Sequence, residues 1–272
     1  MPDDVRSQHP PGRPGGPRRG RARGGPALRH RRPGAAHDRA AARVLRVVAP
    51  DYRGAGLSSR PADDVHRLLR DHLDIEGPVV LVGHDVGAII ASTFAQAFCD
   101  EVSHLVLIDG PLPGTEAFPT LRADPWMWDV AGAAPIAGPL RRYLLGYFAG
   151  CAHAGSLDAV DVETYVSAYD RPRAMAVARE LFAAFERDAA ESRAALRRRG
   201  RLTIPVLAIG GATSAAGPHV AAMAREVACD VTSLRVPGAG HWIADEQPQA
   251  LTRAVVAFAA VHSGRALHPA AV

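Results

Sequence analysis

The sequence predicts an α/β fold: a mostly parallel sheet with helices on both faces, interrupted by a helical insertion. Three observations carry that prediction. Short apolar runs alternate with helix-patterned stretches, the signature of a sheet covered on both faces. One run, Pro78 to Val82, passes through a turn pinched by Gly83 and Gly87 into an Ala/Ile/Phe-rich stretch ending at Phe98. Between Pro111 and Arg201 the strand signals stop and aromatic residues take their place.

The elements follow in order. Residues 1–43 are mostly Arg, Gly, Pro, Ala and His, with no period of two or of 3.6. Such a composition cannot bury a core, so the segment is expected to be disordered. Val44 to Ala49 reads as a strand. Val65, Leu68, Leu69 and Leu73 lie at helical spacing, which predicts a helix over 61–74. Val79–Val82, Leu105–Ile108, Pro205–Ile209 and Val231–Val236 read as strands. Leu251, Val255, Val256 and Phe258 mark a closing amphipathic helix. Inside the insertion, helical patterning appears at Val160–Tyr169 and Ala174–Leu196.

Composition bounds the function. The 272 residues suit one α/β domain with an insertion, and 47% hydrophobic residues supply a core. Residues 1–43 hold 11 Arg against 3 acids, and the remainder 21 Arg against 25 acids. The excess of positive charge therefore lies in the N-terminal segment alone. A nucleic-acid reading would rest on that segment, and such segments are ordinarily solvated tails; nucleic acid is not the expected partner. No apolar run reaches membrane-spanning length and no signal-peptide region follows the start. Cys99, Cys151 and Cys229 are far apart and without metal-ligand spacing, which predicts reduced thiols in a cytoplasmic protein. No metal or organic cofactor is expected, and the expected partner is a small-molecule substrate.

The chain contains no Lys and no Asn, residues with AT-rich codons. Such a gene read out of frame yields Arg, Gly, Pro and Ala, so residues 1–43 are expected to be a misread segment, with the true frame recovered near Val44. A natural basic tail is the plainer reading of the same residues.

The turn carries the chemistry. Asp85 sits at the centre of Gly83-His84-Asp85-Val86-Gly87. In the better-known form of this elbow the central residue is Ser, its oxygen exposed above the sheet by a strained backbone. Gly83 and Gly87 suit the turn because a Cβ at either position is expected to clash where strand and helix approach. A carboxylate in that seat needs no base to act as a nucleophile; it attacks carbon and forms an ester.

Three stretches, Val47-Val48-Ala49-Pro50-Asp51-Tyr52-Arg53-Gly54-Ala55-Gly56, Gly83-His84-Asp85-Val86-Gly87 and Val236-Pro237-Gly238-Ala239-Gly240-His241-Trp242, together resemble the α/β-hydrolase fold family. Within it, they resemble the branch of epoxide hydrolases and haloalkane or haloacetate dehalogenases. The resemblance covers residues 44–262. It implies a core of 44–114 and 202–272 and a helical cap over 115–201, with the first strands missing. It implies Asp85 as nucleophile, His241 as the base that activates water, and the Val86 backbone N–H as an oxyanion donor. A second donor would come from a His-Gly-x-Pro loop, which this sequence lacks. The resemblance implies that the acid orienting His241 follows either of two strands; Gly210 to Met223, after the later one, contains no carboxylate, and Asp109, after the earlier one, matches the position used by haloacetate and some haloalkane dehalogenases. Asp245 and Glu246 are expected at the start of the last helix, where acids favour the dipole.

The same resemblance implies a pocket lined by His84, Trp126, Phe182 and Trp242. Epoxide hydrolases of this kind use two cap tyrosines, and those positions are Met127 and Phe182 here; Tyr143, Tyr147, Tyr165 or Tyr169 would have to substitute. The arginines of haloacetate dehalogenases fall on Val86 and near Ile90, which disfavours that substrate class. The expected function is an aspartate-nucleophile hydrolase, epoxide hydrolase-like, acting on a small apolar electrophile. The competing expectation is a non-catalytic homologue that binds a small apolar ligand.

Overall fold

A computed structural model describes residues 47–49, 61–118, 140–156, 162–169, 180 and 183–262. Residues 1–43, and with them the expected disorder and frame change, lie outside the described residues. So do Trp126, Met127 and Phe182.

Among the described residues four strands form one parallel sheet in the order β1-β2-β3-β4. They are β1 (Val79–His84), β2 (Val102–Ile108), β3 (Val206–Gly211) and β4 (Val231–Val236). All four expected runs are strands, each slightly longer than its apolar core where β1, β2 and β3 are concerned. Period-two alternation divides the sheet's side chains between its faces. Leu105, Leu107, Val206 and Ala208 pack on one face with α2 (Val86–Ala97) and α6 (Gly217–Val227), through Phe94, Val220 and Met223. Val106, Ile108, Leu207 and Ile209 pack on the other with α7 (Ile243–Glu246) and α8 (Pro248–His262), through Ile243, Leu251, Val255 and Phe258. Burial on both faces is why these strands read as continuous apolar runs. β4 is more open: Thr232 to Arg235 are exposed.

α1 (Pro61–Arg67) runs into a π-helical turn, Leu68–His72, and packs against α2. The helical stretch therefore stops at His72, and Leu73 follows as its cap. No strand covers Val47–Ala49, which are exposed. A three-residue apolar run becomes a strand only as part of a ladder, and the four-stranded ladder runs β1 to β4. The first part of that expected strand, Val44–Arg46, is outside the described residues.

Between β2 and β3 the described elements are all helical: α3 (Leu140–Cys151), α4 (Val162–Tyr169) and α5 (Phe185–Arg199). α4 falls inside the expected helical stretch. α5 overlaps only the later part of the expected stretch Ala174–Leu196 and runs three residues past it to Arg199, while 174–179 lie outside the described residues; Glu186 and Asp188 stand in its first turn, Arg197 to Arg199 in its last, and Gly200 at φ 75° after the end. α3 was not expected as a helix, although Leu140, Tyr143, Leu144, Tyr147, Phe148 and Cys151 recur at helical spacing. Leu144 and Phe148 are buried with Tyr165 of α4 and Trp242 in a separate aromatic cluster. No helix among the described residues is long and apolar enough to cross a membrane.

Candidate active site

All the expected polar groups emerge at the C-terminal ends of the strands: Asp85 after β1, Asp109 after β2 and His241 beyond β4. Ligand sites in open α/β sheets lie outside these ends. Backbone bonds lace the ends together. Asp85 N–H donates to the Ile108 carbonyl at 3.1 Å, and Asp109 N–H to the Ile209 carbonyl at 2.8 Å.

Asp85 sits at φ 52°, ψ −122°. That is a sparsely populated conformation for a residue with a Cβ, of the kind that costs about 1–3 kcal/mol and clusters at functional sites. It is held from both sides. Ala88 N–H donates to the Asp85 carbonyl at 2.9 Å, and a Cβ at Gly83 would run into the Gly87 carbonyl. Gly83 is thus required by close approach, as expected. Gly87 is not: a Cβ there meets no atom within 4 Å. What the elbow needs at position 87 is its carbonyl, lying where Gly83 must have no side chain. Val86 opens α2 directly after the elbow, so its N–H is one of the first-turn donors without an intrahelical acceptor.

Asp109 is fully buried and also has positive φ, 41°. Its Oδ1 accepts the Gly211 N–H at 3.0 Å. Its Oδ2 accepts the Ser214 hydroxyl at 2.5 Å and lies 2.8 Å from His241 Nδ1. A carboxylate can only accept, so Nδ1 carries the proton and the Nε2 lone pair is left facing away. His241 Nε2 lies 3.9 Å from Asp85 Oδ2. The three differ in exposure: the Asp85 side chain is 34% exposed, His241 2% and Asp109 0%. One carboxylate is open to a ligand, and the His–Asp pair behind it is sealed.

Burial alone would hold the His241 imidazolium down. The Asp109 hydrogen bond and the charges of Asp85, Asp109 and Glu246 outweigh it and raise His241 above its ordinary value. His84 goes the other way, lowered to about 4 by burial and by the neighbouring His241. It is therefore neutral at neutral pH. Its Nε2 lies 2.9 Å from the His241 carbonyl, which requires the Nε2–H tautomer. His84 thus ties the end of β1 to the His241 backbone, with the two rings 4.6 Å apart.

Trp242 is buried against Tyr147, Phe148 and Tyr165, with ring separations of 5.8, 4.7 and 5.8 Å. Of the tyrosines named from sequence, Tyr165 donates its hydroxyl to Asp245 at 3.0 Å. Among the described residues the Tyr147 and Tyr169 hydroxyls have no hydrogen-bond partner. Both are raised above the ordinary tyrosine value, first by burial and then by the charge of Asp85, which places them within its field. The Cys151 thiol is pushed up to about 12 by burial, then by the same carboxylates.

Two residues were not found by sequence reasoning. Ser214 had no signal beyond its place in the loop after β3. Glu246 was expected to serve the last helix, but its hydrogen bonds run elsewhere: to the N–H groups of Gly240, Trp242 and His153 and to the Ser156 hydroxyl.

Comparison with known proteins agrees with the fold. The family model described as "alpha/beta hydrolase fold" matches residues 32–248. The soluble epoxide hydrolase of Corynebacterium sp. strain C12 is 28% identical over 237 residues, 77% of this chain and 79% of that protein. A cis-3-alkyl-4-alkyloxetan-2-one decarboxylase from Xanthomonas campestris is 33% identical over 103 residues, but the match spans only 32% of either protein. Among solved structures, Cfl2 from Burkholderia cenocepacia superposes with a TM-score of 0.69 at 29% identity, covering 81% of this chain and 83% of that one. The epoxide hydrolase CorEH shares the fold at a TM-score of 0.68 and 24% identity, covering 83% and 86%. With a strained elbow after β1, a buried His–Asp pair behind it and a family match over most of its length, the chain belongs to the alpha/beta hydrolase fold family, with epoxide hydrolases among its distant relatives.

Proposed function

We propose that the protein is an epoxide hydrolase-like enzyme in which Asp85 is the nucleophile. The observation that carries this reading is the pairing of a strained, partly exposed Asp85 with a buried His241 whose Nδ1 is held by Asp109. In a serine enzyme the histidine must reach the nucleophile to deprotonate it. Here the 3.9 Å gap between His241 Nε2 and Asp85 Oδ2 is too long for a hydrogen bond. A carboxylate has no need of that contact, and the gap leaves the Nε2 lone pair to a water.

The reaction has two halves. Asp85 Oδ attacks an epoxide carbon and the carbon–oxygen bond of the ring breaks. The departing alkoxide takes a proton from Tyr147 or Tyr169, both of which feel the Asp85 charge. His241 Nε2 then removes a proton from water, and the hydroxide adds to the ester Cγ. The resulting oxyanion faces the Val86 N–H at the head of α2. Collapse expels the diol oxygen, which takes the proton back from His241. The proton left on the regenerated Asp85 carboxyl restores the tyrosine.

In this reading residues 115–201 act as a cap over a core of 44–114 and 202–272, and Trp242 forms the wall between them. His84 serves the site through the His241 backbone.

The test is trapping. His241→Gln blocks the second half only, so incubation with a panel of small apolar epoxides yields an ester on Asp85, read as added mass on its peptide. An unmodified Asp85 across epoxides and haloalkanes contradicts the reading and leaves the family's non-catalytic, ligand-binding alternative.

A further inference from the structure

Glu246 gathers donors from two distant parts of the chain. Its Oε1 and Oε2 accept the Gly240 N–H at 3.1 and 3.0 Å, and Oε1 accepts the Trp242 N–H at 2.9 Å. Oε2 also accepts the His153 N–H at 2.8 Å and lies 2.6 Å from the Ser156 hydroxyl. The first two donors flank His241 in sequence. The other two belong to the segment between α3 and α4. The backbone repeats the link: His241 N–H donates to the Cys151 carbonyl at 2.8 Å, and Gly240 carries no Cβ where one would meet that same carbonyl.

A carboxylate offers two acceptor oxygens and no donor, so this set of N–H and O–H groups matches it and no amide. Gln at this position would turn an NH₂ group toward donors. One turn beyond His241, the Tyr165 hydroxyl of α4 reaches Asp245, a second tie between the same two segments.

We infer that Glu246 is a positioning residue that holds His241 in line with Asp85 by clamping the His241 loop to the α3–α4 connection. This rests on His241 being the base of the second half-reaction. Glu246 touches neither substrate nor the reacting atoms. It acts through the His241 backbone, so it governs ester hydrolysis and not ester formation. The charged and titratable groups around His241 are Asp85 on the elbow, Asp109 after β2, His84 at the end of β1 and Glu246 itself.

The experiment compares wild type with Glu246→Gln. Single-turnover mass spectrometry with a turned-over epoxide follows ester formation and ester hydrolysis separately. Backbone hydrogen exchange follows the Gly240, Trp242 and His153 amides without reference to activity. The expected result is hydrolysis slowed about 10–100-fold, as small displacements of a reacting group cost, with ester formation unchanged. The three amides exchange faster together, and the hydrolysis-limiting ionisation moves to lower pH. Equal slowing of both steps, or unchanged exchange at the three amides, overturns the inference.

If no ester forms even in His241→Gln, the Asp85 reading fails by itself, and amide exchange alone decides the clamp. If Glu246→Gln does not fold, Ser156→Ala removes only the α3–α4 hydroxyl. It then gives the same split between the two steps in smaller measure, and hydrolysis at the wild-type rate overturns the link.

Discussion

Asp109 has a saturated carboxylate at the bottom of the site: Gly211, Ser214 and His241 each donate to it. Ser214→Ala leaves one of these contacts empty in a fully buried setting. Loss of a hydrogen bond to a charged group costs about 1.5–3 kcal/mol, so the urea midpoint falls accordingly, and ester hydrolysis slows more than ester formation because Asp109 can rotate away from His241. A Ser214→Ala protein with wild-type midpoint and wild-type hydrolysis refutes this role. Asp85, Asp109 and His241 were each legible in the sequence because glycine spacing and strand ends mark their seats. Ser214 was not. A serine in a loop has no pattern of its own, and it became meaningful only when the fold set its hydroxyl against Asp109.

The elements meet at the strand ends, and His84 is the joint between β1 and the His241 loop. Its lowered ionisation, to about 4, follows first from burial and then from His241. The sign of the pH effect is fixed by linkage. Unfolded His84 takes up a proton near its ordinary value, whereas the folded protein resists until about 4. Stability from this group is therefore complete above about 6.5 and is lost as pH falls from there toward 4. His241, raised in the folded state, contributes in the opposite sense: its stability is present at low pH and is lost as pH rises through its folded value. His84→Gln keeps an N–H for the His241 carbonyl and removes the titration. It flattens the fall in denaturation midpoint between about pH 6.5 and 4; an unchanged pH profile counts against the buried neutral histidine. At this scale the sequence foretold β1 to β4 and α4 well and α5 only in part, because apolar runs and helical spacing are local signals. It placed no particular helix at α3, whose aromatic residues signalled the end of the strand pattern before they signalled a helical face. It also placed Glu246 with the last helix, since nothing local announces donors ninety-odd residues away.

Across the described molecule, one parallel sheet is buried on both faces, and its strand ends converge on one polar cluster. The sequence's excess of positive charge belongs to residues 1–43, since the remaining residues carry 21 Arg against 25 acids. Motif order made the fold class legible from sequence, because the stretch from Val47 to Gly56, the elbow around Asp85 and the loop around His241 occur in family order with plausible spacing. The proposed division of labour between two half-reactions rests on chemistry alone, on Asp at residue 85 where the better-known elbow carries Ser.

The measurement that bears most directly on that division is a single turnover of an epoxide with excess enzyme in ¹⁸O-water. If Asp85 is the nucleophile, the oxygen added to the first diol comes from its carboxylate. The product of that turnover is then unlabelled, and the Asp85 peptide gains ¹⁸O as water attacks the ester Cγ. Label in the first-turnover diol with none in Asp85 would mean that water attacks the substrate directly, and the covalent mechanism would be wrong.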